Sequence, residues 1–203
     1  FGISGSASQQ GLAMSIALVG CMIGACACGW LADRLGRRVL LIVSAFIFLS
    51  SAILTGAFNT FDAFLAARFF GGIGIGIASG LSPMYIAEVA PTPVRGKLAA
   101  LNQMTIVAGI LAAQIVNWRI AQPIPEGFTP DDIMNSWNGQ MAWRWMFWAA
   151  ALPAAVFLLL AFFIPESPRW QALRDRRQEA RDTLARIGGT DYADAEMLAI
   201  ETA

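Results

Sequence analysis

Histidine is absent from all 203 residues, and with it go the commonest general base and the commonest metal ligand at neutral pH. Charge is scarce as well: Asp, Glu, Lys and Arg make up 14% of the chain and cancel at 14 basic against 14 acidic. A chain with no net charge gives no reason to expect a nucleic-acid partner, so the distribution of its charges matters more than their sum. Cysteine is limited to Cys21, Cys26 and Cys28, all in one apolar run that offers no further ligands. On a helix Cys26 and Cys28 point about 200° apart, so the three read as small packing residues and no metal is expected. No activated nucleophile is visible, so neither an enzyme nor a cofactor is expected. The chain opens on Phe1 without an initiator Met, a charged n-region or a cleavage motif, which suggests an internal stretch and not a signal peptide.

What is abundant is hydrophobicity. Apolar residues supply 57% of the chain and mean hydropathy is +0.57, the composition of a membrane protein. Five uncharged or nearly uncharged runs are long enough to cross a hydrocarbon core of ~30 Å as helices. They cover about 10–31, 39–58, 63–87, 98–118 and 145–164, and together make a first unit, 1–164. Only a tight hairpin fits between the first two, at Asp33, Arg34, Gly36, Arg37 and Arg38. A longer loop, Arg119 to Arg144, carries Pro123, Pro125, Glu126, Pro130, Asp131, Asp132 and Trp137, with tryptophans suited to a membrane interface. Pro153 sits inside the fifth run, tolerable where neighbouring helices satisfy the freed carbonyl.

Beyond Pro165 a second unit, 165–203, has water-soluble character. Trp170, Leu173, Ala180, Leu184 and Ile187 recur at helical spacing among charges until Gly188-Gly189, and a second short helix begins near Tyr192. Basic residues set the orientation. If the Arg34–Arg38 turn, the Arg95–Lys97 loop and the Arg169–Arg186 helix share one side, only Arg119 and Arg144 remain on the other, and the positive-inside rule makes the crowded side cytoplasmic. Five crossings then put Phe1 outside and Ala203 in the cytoplasm.

Three ordered motifs carry a resemblance. Gly29, Asp33, Arg34, Gly36, Arg37 and Arg38 fit G-x-x-x-D-R-x-G-R-R. Arg68 to Lys97 reads R-F-F-G-G-I-G-I-G-I-A-S-G-L-S-P-M-Y-I-A-E-V-A-P-T-P-V-R-G-K. Pro165 to Arg169 reads P-E-S-P-R. In this order and spacing they resemble the sugar porter family of the major facilitator superfamily. The resemblance implies an all-α polytopic membrane protein, here part of an N-terminal six-helix half without its first helix. It also implies alternating-access transport of a pentose or hexose, with proton symport favoured over a facilitative uniporter or a transporter-like sugar sensor. The expected partners are a monosaccharide, protons, the lipid bilayer of a bacterial inner membrane, and the missing first helix and second six-helix half.

Candidate residues fall into four groups. Gly72, Gly76 and Gly80 stand at i, i+4, i+8, a stripe that lets helices approach at backbone distance. Ile110, Gln114 and Asn117 project within about 40° of Gln103 at 100° per residue, a mostly polar stripe on an apolar helix. Such amides suit the adjacent hydroxyls of a neutral sugar, and interhelical hydrogen bonding would equally account for Gln114 and Asn117. By resemblance Gln103 is the sugar contact. Asp33, Arg34, Arg37, Arg38, Glu88, Arg95, Glu166 and Arg169 sit at the basic helix ends; they are either solvated topology charges or, as the resemblance implies, a cytoplasmic gate. Arg68 lies about 10 Å into its helix, where a guanidinium costs at least ~2.5–3.5 kcal/mol and needs an acid or a cavity. No visible run supplies an acid at that depth, and the resemblance assigns Arg68 to proton coupling through a first-helix aspartate.

Replacing Gln103 with Ala in the full-length protein is expected to weaken sugar binding by about 1–3 kcal/mol, because sugar hydroxyls would be left unpaired in a partly dry cavity. A binding isotherm measures this, and an unchanged curve removes Gln103 from the site.

Overall fold

The computed structural model describes residues 7–125 and 127–202, so the placements expected for Phe1, Ala203 and the loop residue Glu126 lie outside the described residues. All regular structure among them is helical. Helices α1 (Ala7–Leu35), α2 (Arg37–Ala57), α3 (Phe61–Val89) and α4 (Thr92–Ile120) follow one another through very short turns. A short α5 (Pro130–Asn135) and a π-helical turn (Asn138–Ala142) lead into α6 (Trp143–Ala161). Five helical stretches, α1 to α4 and Asn138–Ala161, are long and apolar enough to cross a membrane.

The helices overrun their apolar windows. At 29 residues each, α1 and α3 are about 44 Å long and carry Asp33, Arg34 and Glu88 past a core of ~30 Å. Helix α4 starts at Thr92 because Pro93 fits the first helical turn, where an N–H would be unpaired anyway.

Packing centres on α3, which lies between α1 and α2, while α6 covers the far side of α2. The α1–α3 contact is reciprocal. A methyl added to Gly72 or Gly76 would run into the carbonyl oxygens of Ala17 and Cys21, and one added to Gly20 or Gly24 into those of Phe69 and Ile73. Gly80 is looser, with Cys28 Sγ at 3.2 Å from such a methyl. Backbones this close gain dispersion along their length, the main source of helix association where lipid is as apolar as the side chains. The seam runs down into a core of Cys28, Ala32, Leu40, Leu41, Ile77 and Leu81, and the Cys28 thiol donates to the Ile77 carbonyl.

At one end, Arg144 from the start of α6 donates to the carbonyl of Gly56 (2.8 Å) and to Asn59 Oδ1 (2.7 Å). This puts a cation on the C-terminus of α2, the favourable end for it. The Arg119–Arg144 loop is partly folded: Thr129 and Asp132 form a reciprocal capping box that starts α5, and Gln122 and Asn138 pair through 2.9 and 2.7 Å bonds. The Thr129 hydroxyl and N–H, both donating to Asp132, hold that carboxyl below the usual carboxylate range.

At the other end the periodic run from Trp170 to Ile187 is broken into α7 (Pro168–Leu173) and α8 (Arg177–Gly188), followed by α9 (Thr190–Thr202). The break is a left-handed residue, Asp175 at φ 59. The Arg176 N–H reaches back to the Gln171 carbonyl and the Asp175 N–H to that of Ala172, the bond pair of a Schellman cap with Asp where Gly is usual. Helix α8 folds back on α7 through buried Ala180, Leu184 and the Thr183 hydroxyl, which donates to Gln171 Oε1. Arg181 forks Asp194 of α9 at 2.6 and 3.1 Å and keeps that carboxyl below its ordinary range.

The glycine seam makes a quantitative expectation. Gly76→Ala or Gly24→Ala must push backbone apart and is expected to cost about 1–3 kcal/mol, read as a lowered thermal unfolding midpoint. Gly29→Ala on the same helix, where a methyl meets no atom within 4 Å, leaves the midpoint unchanged.

Candidate functional site

The hairpin between α1 and α2 is a single glycine. Gly36 takes φ 92, a backbone conformation that costs other residues dearly, and a methyl on it would strike the Glu166 carboxylate. That carboxylate sits on the open N-terminus of α2. Its Oε1 accepts from the N–H groups of Arg37 at 2.8 Å, Arg38 at 3.1 Å and Ser167 at 2.9 Å. Glu166 therefore acts as a capping group brought in from a segment far along the chain, where the unpaired N–H groups and the helix dipole both favour an anion.

With its backbone fixed this way, the Arg37 side chain turns inward. Its guanidinium forks Glu88 of α3 through two 2.9 Å bonds, meets Asp33 at 3.2 Å and donates to the Ala32 carbonyl at 3.0 Å. Side-chain exposure of only 6% for Arg37 and 10% for Glu88 makes this a buried pair, favourable only because nearly every donor and lone pair is used. Ser167 completes it: its hydroxyl donates to Glu88 Oε2 at 2.6 Å while accepting from the Trp170 N–H at the start of α7. Arg38 reaches the Phe162 carbonyl (2.7 Å), Tyr85 the Pro165 carbonyl (2.9 Å), and Trp170 and Arg174 the Asp33 carbonyl, both at 3.0 Å. One connected polar network thus joins the ends of α1, α2, α3 and α6 to α7.

Of the eight charged residues singled out in the sequence, five are in this network: Asp33, Arg37, Arg38, Glu88 and Glu166. The Arg34 side chain instead lies over the Trp30 ring at 4.1 Å, and only its carbonyl accepts, from Arg174 at 3.3 Å. Arg95 donates weakly to the Ala90 carbonyl and its buried Nε has no partner. Arg169 is exposed and has no ion pair among the described residues. Ser167 and Trp170 escaped the sequence reading as site residues, although serine before Pro168 is a readable N-cap signal for α7.

A second feature lies deeper among the spans. A cavity of about 770 Å³ opens between α2, α3, α4 and α6, with small residues such as Gly71, Gly72, Gly109, Ala112 and Ala150 in its walls. Arg68 projects into it beside the Phe147 ring at 5.3 Å, and its buried Nε has no hydrogen-bond partner. No acid lines the cavity among the described residues. The polar stripe on α4 meets it only at Asn117. Gln103, Ile110 and Gln114 are exposed, on a face turned by roughly 110° from the cavity wall at 100° per residue.

A family model described as "Sugar (and other) transporter" matches residues 3–203. A glucose transport protein of Synechocystis is 41% identical over 182 residues, covering 89% of this chain and 38% of the relative. The D-xylose-proton symporter of Escherichia coli is 36% identical over 208 residues, covering 94% and 40% respectively. Among solved structures, the xylose transporter XylE from E. coli in a partially occluded, inward-open conformation superposes with a TM-score of 0.87 at 34% identity, over 100% of this chain and 50% of that one. The chain spans about two fifths of the length of these curated relatives.

The two acids of the network are expected to fail differently. Glu88→Ala strands a buried guanidinium and is expected to destabilise by about 3–5 kcal/mol, measured by thermal unfolding. Glu166→Ala leaves the Arg37–Glu88 fork in place but removes the acceptor that caps α2. Amide hydrogen exchange at Arg37 and Arg38 is then expected to quicken by about tenfold, the equivalent of a lost cap, with little change at Glu88.

Proposed function

The chain belongs to the sugar (and other) transporter family, and from that premise we propose that it works as part of a longer carrier that moves a monosaccharide across the membrane by alternating access, coupled to protons. It is an integral, multi-pass membrane protein. The proposed setting is a bacterial cytoplasmic membrane with the basic face, α7 to α9 included, in the cytoplasm, as the positive-inside rule favours.

The observation that carries the proton-coupled reading is Arg68: a half-buried cation whose buried Nε has no partner, in a mostly apolar cavity whose described walls offer no acid. A lone guanidinium among membrane helices is costly enough to require a counter-charge. Glycines and alanines in the cavity wall leave room for a neighbouring element to approach closely. The proposal is that a further helix fills it and brings a carboxylate to Arg68. Ionised, that carboxylate holds the arginine. Protonated, it releases the arginine, and this change in pairing is what couples a proton to the conformational switch.

The sugar would bind on the outer face of α4. Gln103 and Gln114 are exposed and make no hydrogen bond to any described residue, a costly state for amides in hydrocarbon unless a polar cavity lies before them. A second six-helix half facing this surface would enclose that cavity near the midplane, the usual place for a site around which two halves rock. At the basic face, Arg34, Arg95 and Arg169 lack acid partners among the described residues and are offered to that second half as the gate, with the Arg37–Glu88–Glu166 network as its rigid base. Exposed pairs of this kind contribute about 0–1 kcal/mol each, yet several together bias a two-state equilibrium by a few kcal/mol.

Full-length protein in vesicles tests the coupling. Arg68→Ala is expected to abolish proton-driven sugar accumulation while changing sugar affinity by less than about tenfold, because the arginine acts on the switch and not on the sugar. The wild type alone alkalinises the medium during uptake. Wild-type uptake that moves no protons and ignores a collapsed pH gradient makes the protein a facilitative uniporter; binding of labelled sugar without counterflow makes it a sensor.

A further inference from the structure

A second cavity, of about 400 Å³, lies at the basic face, away from Arg68. It opens between the start of α2, the Pro165–Glu166 turn, α7 and α8. Three arginines line it, Arg38, Arg176 and Arg186, with three acids, Glu166, Glu179 and Asp182. Most of these charges are already committed. Glu166 is occupied by backbone N–H groups, and Arg176 and Glu179 fork each other at 2.8 and 2.6 Å. Asp182 accepts from Gln178 through one oxygen. What remains uncommitted is two guanidinium groups and one oxygen of Asp182. Arg38 uses Nη2 on the Phe162 carbonyl and its Nε is buried, which leaves Nη1, with no hydrogen bond to a described residue, as its free donor. Arg186 has no ion pair or hydrogen bond among the described residues and lines the same cleft.

We propose that this cleft binds a phosphate oxyanion between Arg38 and Arg186, and that the phosphate is carried by an anionic phospholipid. Two planar guanidinium groups offer several parallel N–H donors, more than one carboxylate can accept, whereas the oxygens of a phosphate meet both forks. The cleft's edge points to lipid as the carrier. Leu35 and Val39 also line it and are 44% and 45% exposed, and Val39 belongs to an apolar membrane-crossing helix. Phe162, whose carbonyl Arg38 holds, and Phe163 are 51% and 84% exposed beside it. A headgroup seated on the arginines would lay its acyl chains along this apolar edge, the arrangement of basic pockets that hold anionic headgroups at a membrane surface. The cleft ties α2 to α8, so an occupied site would fasten the soluble helices to the membrane-crossing ones.

Asp182, with one oxygen uncommitted, opposes an anion and gives the test its sign. Native mass spectrometry of the full-length protein in detergent, with added phosphatidylglycerol, phosphatidylcholine or inorganic phosphate, reads the site directly. The wild type is expected to retain phosphatidylglycerol over phosphatidylcholine. Arg186→Gln is expected to lower that retention by about tenfold, the loss of one charge-assisted fork, and Asp182→Asn to raise it. Both positions are exposed, so neither variant threatens folding. Inorganic phosphate that raises the melting temperature of the wild type but not of Arg186→Gln, with no lipid retained, assigns the same site to a free anion. Ligand retention and melting that are the same in the wild type, Arg186→Gln and Asp182→Asn overturn the proposal.

Discussion

Three backbone N–H groups converge on one carboxylate, Glu166, and the basic end of the molecule is organised by that convergence. Helix α2 begins straight after α1 with glycine as its N-cap and no side-chain cap of its own, so its first amides have nowhere local to go. Glu166 supplies the acceptor from the far end of the spans. The arrangement demands Gly36, for its positive φ and because any side chain would displace the carboxylate. It also sets the direction of Arg37, whose fork with Glu88 would otherwise be a badly desolvated pair. A turn, a cap and a buried ion pair are thus one device.

Within the same set of helices, packing is of two kinds. Along α1 and α3 it is as close as backbones allow, held by glycines on both sides. Between α3, α4 and α6 it is open, and small residues face a cavity instead of a neighbour. Glycine therefore has two uses in this chain, and Gly72 serves both, meeting Ala17 on one side and lining the cavity on the other. The close seam and the network at its basic end bind α1, α2 and α3 to one another along their length.

Much of this was legible in the sequence, for definite reasons. Apolar runs bounded by Asp33–Arg38, Pro91–Lys97 and Pro165 locate the helices, because hydrocarbon forces backbone pairing within each segment. The three motifs mark the residues that meet at the basic face. What the sequence could not supply was the partner of each group. Glu166 reads as one more charge for an ion-pair network, but its partners are amides, which carry no residue-type signal. The Trp170–Ile187 periodicity reads as unbroken because the break falls on Asp175, which adopts a conformation that glycine would have announced. Periodicity places Gln103, Ile110, Gln114 and Asn117 on one face, yet it does not say what that face opposes, and only Asn117 reaches the cavity.

Helix α4 is a 29-residue stretch with no buried residue, and what holds it lies at its ends. A membrane helix is held in place by its partners, since lipid itself gives no reason for one apolar helix to prefer another. Helices α1, α2 and α3 lock along their glycines. Helix α4 is tethered instead by the turn at Pro91 and by the Trp137 and Asn138 bonds near its far end. Of the four long helices it is therefore the one whose tilt and rotation the described residues fix least.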